Sequence, residues 1–406
     1  MKRLAVLFLA LMAGFSLRAG EPVFQADYAT RNQRPFEISI PVPDGNYLVT
    51  VSLGDTKRPG VTTVKAESRR LCLYNEMTAK GEFRTVSFLV NKRDVHIREN
   101  GEEVAEVSIK EREKGKLDWD DVLTLEIGGA APAVSSITVE KAGTVTTVFL
   151  CGDSTVVDQD NEPFASWGQM APYFFGMDVC IANYAESGER LDTFLAAGRL
   201  RKVLSLVQPG DYVFVEFGHN DMKLKGPGKG GHYFFATQLK IFIDMIREKG
   251  AQPVLVTPTH RRNFNADGHI VETHGDYPEG MREVAAREQV PLVELHDQSA
   301  LFYEALGEER SKRALVHVPA GAFPWVTAPI ADNTHFSPYG AFELAKCVMA
   351  EIVHLRLPLC AGLRNFHGFD PSFPDDPDAF VWEPSPYRDL AAQRLEKDDA
   401  ATLVKP

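Results

Sequence analysis

Val145-Thr-Thr-Val-Phe-Leu150-Cys-Gly152-Asp-Ser-Thr155 is the stretch on which the reading of this 406-residue chain turns. Its first six residues are apolar or β-branched without a polar alternate, the mark of a strand covered on both faces. Gly152 then supplies a tight turn, and Ser154 follows directly. A serine in that position is held at the carboxyl edge of a sheet, where a nucleophile has to stand. The triplet Gly-Asp-Ser alone is equally an ordinary turn, so its meaning depends on what surrounds it.

Downstream, apolar strands alternate with helix-length stretches. Strands are expected at Val145–Leu150, Val179–Ala182, Tyr212–Phe217, Pro253–Thr257 and Pro291–Leu295, with helices near 166–175, 191–207, 233–249, 278–289 and 337–355. Five such units predict a parallel sheet with helices on both faces and sites at the carboxyl ends of its strands. Upstream the period is two, as in Phe36–Ile40, Tyr47–Leu53, Thr85–Val90, Val122–Ile127 and Val134–Val139. Pro43-Asp-Gly-Asn46 reads as a turn between the first two, and an antiparallel β-sandwich is expected. The charged run Glu111–Lys116 reads as a solvated loop. Beyond Ala361 the chain is rich in Pro, Asp and aromatics and is expected to wrap over the rest or stay partly mobile. The expected layout is a leader over 1–19, the sandwich over 20–143, the α/β domain over 144–358 and a tail over 359–406.

Composition excludes several classes. Apolar residues make up 44% and charged residues 25%, which suits a folded chain with a large core and not disorder or a polytopic membrane protein. The net charge of −12 argues against nucleic acid as a partner, and no membrane span is read. Lys2 and Arg3, the apolar Leu4–Leu17 and the small pair Ala19-Gly20 form an export signal, implying a periplasmic or extracellular location. The chain carries no N-x-S/T sequon, which leans toward a bacterial source. Five cysteines lack any C-x-x-C spacing, so neither a zinc motif nor a disulfide framework is indicated. A single bridge, for instance Cys347 with Cys360, stays open, as does the oligomeric state.

Two further strand ends carry polar groups, and so does a segment just before the last helix. The second leads into Asn183-Tyr-Ala-Glu-Ser-Gly188-Glu-Arg190, where Gly188 permits close backbone approach to a ligand. The third ends in Phe217-Gly-His-Asn220-Asp221, where the Asn220 amide is placed to donate to a developing oxyanion. Late in the chain comes Asp332-Asn-Thr-His335. Its three-residue spacing puts both side chains on one side of a turn, so that His335 serves as general base and Asp332 orients its ring. A metal reading of this pair lacks a third ligand.

Taken in order, Ser154, Gly188, Asn220 and His335 resemble the four blocks of the SGNH (GDSL) hydrolase superfamily. Gly152-Asp-Ser-Thr-Val, Phe217-Gly-His-Asn-Asp, Thr257-Pro-Thr-His-Arg-Arg262, His274-Gly-Asp-Tyr277 and Asp332-Asn-Thr-His-Phe are similar to the rhamnogalacturonan acetylesterases, over roughly 145–355. The resemblance implies a flavodoxin-like, three-layer α/β/α domain with a five-stranded parallel sheet. It also implies a Ser154-His335-Asp332 esterase without metal or organic cofactor. The oxyanion hole would combine the backbone N–H groups of Ser154 and Gly188 with the Asn220 side chain. Where that family usually reads Gly-Arg-Ser, this chain reads Gly188-Glu189-Arg190, which leaves the backbone role of Gly188 intact and changes the side chains after it. The sandwich half resembles galactose-binding-like or carbohydrate-binding modules, with Trp119 and Tyr74 as stacking or packing aromatics.

For substrate contacts the candidates are Asp153, Arg190, His219, Lys223, Arg261 and Arg262, with Lys225 and Lys229 nearby. A basic cluster on an acidic chain suits an anionic, acetylated polysaccharide or oligosaccharide, pectic rhamnogalacturonan first and xylan as an alternative. Gly226–Gly231 reads as a rim, with His232, His269 and His274 as further rim candidates. A lipase or thioesterase would need an apolar acyl channel, and a non-catalytic glycan-binding protein would not need the ordered blocks.

Overall fold

The computed structural model describes residues 22–28 and 34–385. The expected leader and the last stretch of the tail lie outside them.

The amino-terminal half is a β-sandwich. Its strands are β1 (Phe24–Asp27), β2 (Phe36–Pro41), β3 (Gly45–Leu53), β4 (Gly60–Ala66), β5 (Arg70–Thr78), β6 (Arg84–Lys92), the hairpin β7 (His96–Glu99) and β8 (Glu102–Glu106), β9 (Val122–Ala131) and β10 (Val134–Lys141). Two four-stranded antiparallel sheets face each other, in the orders β1-β10-β3-β6 and β2-β9-β4-β5. Period two fills the space between them. Tyr47, Val49, Val51 and Leu53 of β3 point inward and meet Val64, Leu123, Leu125 and Ile127 from the other sheet. The turn at Pro43–Asn46 does not close a hairpin, because β2 and β3 belong to opposite sheets. Val42 still bonds Asp121 in the β2–β9 ladder. Pro43 has no N–H to extend that ladder, and the chain crosses over.

The second half supplies a parallel sheet of β11 (Thr146–Gly152), β12 (Val179–Asn183), β13 (Tyr212–Glu216), β14 (Gln252–Val256) and β15 (Leu292–Val293), ordered β12-β11-β13-β14-β15. The strands are apolar throughout because each face has its own cover. Val148, Leu150, Val254, Val256 and Val293 pack against α1 (Trp167–Met170) and other elements of one layer. Phe149, Cys151, Val213, Val215 and Leu255 face α2 (Leu191–Ala196), α3 (Arg199–Leu206), α4 (Ala236–Glu248) and α5 (Tyr277–Glu288). The chain then forms α6 (Leu295–Arg310), a hairpin of β16 (Leu315–Val318) and β17 (Ile330–Phe336), and α7 (Pro338–His354). In this order the path reverses between β11 and β13, which places a crevice at their carboxyl ends. Helix α6 and the hairpin were not expected. β15 is only two residues long, and the polar His296-Asp-Gln-Ser299 start of α6 hides its helical face. No helix among the described residues is long and apolar enough to cross a membrane.

The halves are locked by charges buried where they meet. Arg70 of β5 bonds Asp158 at 2.6 Å, with Arg93 and Asp118 in the same cluster, and Arg69 pairs with Glu162 at 2.7 Å. Lys202 of α3 meets Asp94 at 2.9 Å, and Arg199 pairs with Glu113. Glu113 lies within the run expected to be solvated. The middle of that run folds inward because the buried Arg199 of the second half draws in the Glu113 carboxylate, while Glu111 and Lys114 stay exposed. Trp119 donates to Glu113 at 3.0 Å while packing edge-on to Tyr184. The described part of the tail straps both halves. Asp375 accepts from Lys346 at 2.8 Å, and Lys65 lies 4.3 Å over the ring of Trp382. Tyr74 stacks on Phe380 beneath this strap. All five cysteines are free: Cys347 faces the core from α7 and Cys360 faces outward, so the bridge considered between them does not form.

Candidate active site

Ser154 stands two residues past β11. A Cβ on Gly152 would come within 2.5 Å of Val156 and 3.0 Å of the Glu216 carbonyl, so only glycine lets the chain turn there. His335 comes from the end of β17, brought over Ser154 by the β16–β17 hairpin. Its Nε2 lies 2.9 Å from Ser154 Oγ, and its Nδ1 lies 2.7 Å from Asp332 Oδ2. The other carboxylate oxygen of Asp332 accepts the backbone N–H groups of Thr334 at 2.7 Å and His335 at 2.9 Å. Burial pushes the Asp332 carboxyl up, but the His335 ring and these donors outweigh it and hold the group below the usual carboxylate range. An ionised Asp332 fixes the proton on Nδ1 and leaves the Nε2 lone pair facing the serine hydroxyl. Phe164 stands edge-on to the imidazole, with ring centroids 5.7 Å apart.

Across the crevice the loops after β12 and β13 meet. Gly188 has φ +74°, a left-handed conformation that suits glycine, and it faces solvent. Asn220 Nδ2 donates to the Glu189 carbonyl at 3.2 Å, while its contact to Asp153 Oδ2 is a long 3.5 Å. One amide hydrogen is therefore held only weakly. Its Oδ1 accepts from Lys223 at 2.8 Å. Asp221 secures this turn by accepting from Gly218 and Leu191, each at 3.1 Å. Burial pushes the Asp221 carboxyl up to about 7.

Residues missed in the sequence hold both loops. Lys110 and Arg112, from the run before β9, reach Ser187 O, and Arg112 pairs with Glu186 at 2.9 Å. Lys110 also pairs with Glu189 at 2.8 Å. Partners more than 70 residues away leave no local signal. Behind the serine, the Thr155 hydroxyl lies 2.9 Å from Asp153 and 3.0 Å from Glu216. Burial, reinforced by the nearby Asp153 charge, raises Glu216 to about 8, which favours a carboxyl that keeps its proton at neutral pH. Trp167 Nε1 donates to the other Glu216 oxygen.

The residues offered for substrate contact fall into separate environments. Arg261 is half-buried and touches Thr273 and the His219 carbonyl, with no carboxylate in salt-bridge range among the described residues. Arg262 is not at the mouth: it is buried and bonds Ser311, the Glu308 carbonyl and Asn333, which steadies the strand carrying Asp332. Arg190 closes on Asp192 at 2.8 Å beside the start of α2. His219 is buried too, 3.0 Å from His274, and burial holds its ring neutral. Asp153 faces inward to Thr155. His274 is buried, whereas His232 and His269 pair with Glu283 and Glu304 at the surface. Lys229 lies over the ring of Phe234.

The chain matches the model of the GDSL-like lipase/acylhydrolase family over residues 150–341. It is 41% identical over 214 residues to a Bacillus subtilis protein named rhamnogalacturonan acetylesterase RhgT, covering 52% of this chain and 91% of that one. A second B. subtilis protein, probable rhamnogalacturonan acetylesterase YesY, is 34% identical over 52% of this chain and 94% of its own length. A third, the uncharacterized esterase YxiM, is 25% identical over 80% of this chain and 75% of its own length. With its serine at the carboxyl edge of a β12-β11-β13-β14-β15 sheet and these relatives, the chain belongs to the GDSL-like lipase/acylhydrolase family and is a carboxylic ester hydrolase.

Proposed function

We propose that this chain is an exported carbohydrate O-acetylesterase acting on acetylated pectic rhamnogalacturonan through an acyl-enzyme on Ser154. The observation that carries the chemistry is the unbroken line Ser154–His335–Asp332, with both hydrogen bonds under 3 Å. The preference for this glycan is supported by the names of the two relatives above and by the guanidinium of Arg261, which has no carboxylate partner among the described residues and suits a galacturonate-bearing chain. Export is supported by the Lys2–Ala19 leader pattern.

In the forward step Ser154 Oγ gives its proton to His335 Nε2 and adds to the acetyl carbon. The carbonyl oxygen becomes an oxyanion facing the N–H groups of Ser154 and Gly188 and the weakly held Asn220 amide hydrogen. His335 returns the proton to the sugar oxygen as that C–O bond breaks, leaving acetyl on Ser154. Water then loses a proton to His335, attacks the acetyl carbon and releases acetate as the serine is reprotonated. Each oxyanion donor of this kind contributes about 10²–10³ in rate.

Acetate release from acetylated rhamnogalacturonan, xylan and mannan, with Ser154→Ala as control, tests the reading. The expected outcome is release from rhamnogalacturonan first, abolished by the variant. Equal rates on all three would remove the pectic preference, and a preference for long-chain p-nitrophenyl esters would assign a lipase.

A further inference from the structure

Four histidines from separate segments converge behind the loop that carries Asn220: His219, His260, His274 and His296. The rings of His260 and His296 stack with centroids 3.6 Å apart, and His274 stands edge-on to His296 at 5.6 Å. The ester chemistry uses none of them.

His296 Nδ1 lies 2.6 Å from the Pro258 carbonyl, which can only accept, so this nitrogen carries the proton. In the neutral ring that tautomer leaves the Nε2 lone pair free, the arrangement by which a carbonyl behind an imidazole prepares it as a metal ligand. Nε2 points at Glu272 Oε2, 2.7 Å away. The Glu272 carboxylate is fixed in turn by the backbone N–H of His274. His260 is 8% exposed, and its buried Nδ1 has no hydrogen-bond partner. The fully buried His274 Nδ1 also has none and lies 3.8 Å from Glu272 Oε1. Buried imidazole nitrogens are ordinarily partnered. His260 and His296 thus bring two buried imidazoles to one carboxylate, and a cation there would give the His260 ring a partner. One ligand atom each from His260, Glu272 and His296 already lies within 4.8 Å of the others.

We propose that His260, Glu272 and His296 form a binding site for a divalent transition-metal ion, Zn²⁺ in particular. Two imidazoles with one carboxylate suit Zn²⁺, whereas Mg²⁺ and Ca²⁺ call for oxygen ligands throughout. Bonds of about 2.0–2.2 Å require the three groups to close slightly. Glu272, its side chain 45% exposed, is the least enclosed of the three, and it closes by giving up its direct contact with His296 to the ion. The ion replaces the proton shared between His296 and Glu272. It ties the end of β14 to the segment before α5 and the first turn of α6. From there His274 bonds His219, next to Asn220, so the site positions the oxyanion loop and takes no part in bond breaking.

Isothermal titration of the chelator-stripped full chain with ZnCl₂ tests this, and it reads binding whether or not the esterase reading holds. The expected result is saturation at one Zn²⁺ per chain and no response to MgCl₂. Glu272→Gln and His260→Gln should each weaken binding by about 100-fold. His96→Ala, which breaks the other His–carboxylate group among the described residues, should leave it unchanged. CoCl₂ added to the wild-type chain should give intense visible bands, a reading that needs no variant. The absence of saturable Zn²⁺ binding to the wild-type chain, or binding unaltered in Glu272→Gln, would overturn the proposal.

Discussion

Replacing Arg112 by alanine separates the brace from the chemistry it supports. Arg112 and Glu186 pair at 2.9 Å with side chains only 6% and 4% exposed, and Arg112 also reaches Ser187 O. Removing one member of a buried pair ordinarily costs about 3–5 kcal/mol, because the other charge is stranded. Here the remaining charge has an escape. Burial first, and then the neighbouring Glu113, already raise Glu186 to about 7, so without Arg112 it takes up a proton at neutral pH. The cost falls to lost hydrogen bonds to a charged donor, about 1–3 kcal/mol. At about 2–4 °C per kcal/mol for a domain of this size, Tm should drop by several degrees. Lys110 still holds Ser187 O at 2.6 Å, so the Gly188 N–H is loosened and not lost. We expect kcat for acetate release to fall about tenfold, short of the 10²–10³ of a missing oxyanion donor. KM should stay nearly constant, because the interaction acts in the transition state. Steady-state acetate release and a thermal melt on the same preparation decide it. A kcat within about twofold of wild type together with the expected Tm loss would refute the idea that the first half positions this loop.

Asp332→Asn should keep the fold and lower kcat by about 10⁴, since the amide no longer selects the Nδ1–H tautomer; single-turnover acetylation would show it. Arg261→Ala should raise KM for acetylated galacturonate-bearing oligosaccharides and leave p-nitrophenyl acetate turnover unchanged, whereas Arg262→Ala should lower Tm and impair both substrates. Glu216→Gln should reveal a pH dependence. The carboxyl is raised from 4.5 to about 8 on folding, so the stability it lends is complete below about 4.5 and lost as pH rises through about 8. Melting curves should coincide for the two proteins at pH 5, with the glutamine variant the more stable at pH 9.

What could be read in advance was whatever lies close together along the chain. Ser154 follows its strand and glycine immediately, and Asp332 and His335 share one turn, so local order carried the catalytic line. The strands of both halves were visible because a residue's period reports how many of its faces are covered. The brace was invisible for the opposite reason: Glu111–Lys116 has the composition of a hydrated loop, and its partners lie far along the chain. Arg261 and Arg262 are adjacent in sequence and opposite in fate. One stays half-buried against Thr273 and the His219 carbonyl while the other is drawn under Asn333, a difference set by β17 and α6 and not by either residue's chemistry. The histidine cluster gathers residues from four segments, and no spacing announces it.

The buried cations between the halves also bear on the order of synthesis. Lys65, Arg69, Arg70 and Arg93 belong to the half that leaves the ribosome first, while Asp158 and Glu162, partners of the three arginines, come with the half that follows. Until those carboxylates arrive, the docking face of the nascent sandwich carries hydrated charges, these cations with Asp118 and Glu126 of the same half beside them, and not a bare apolar patch. Such a face resists sticking to its neighbours while it waits. The closure that later removes the cations from water also joins the two halves into one cooperative unit.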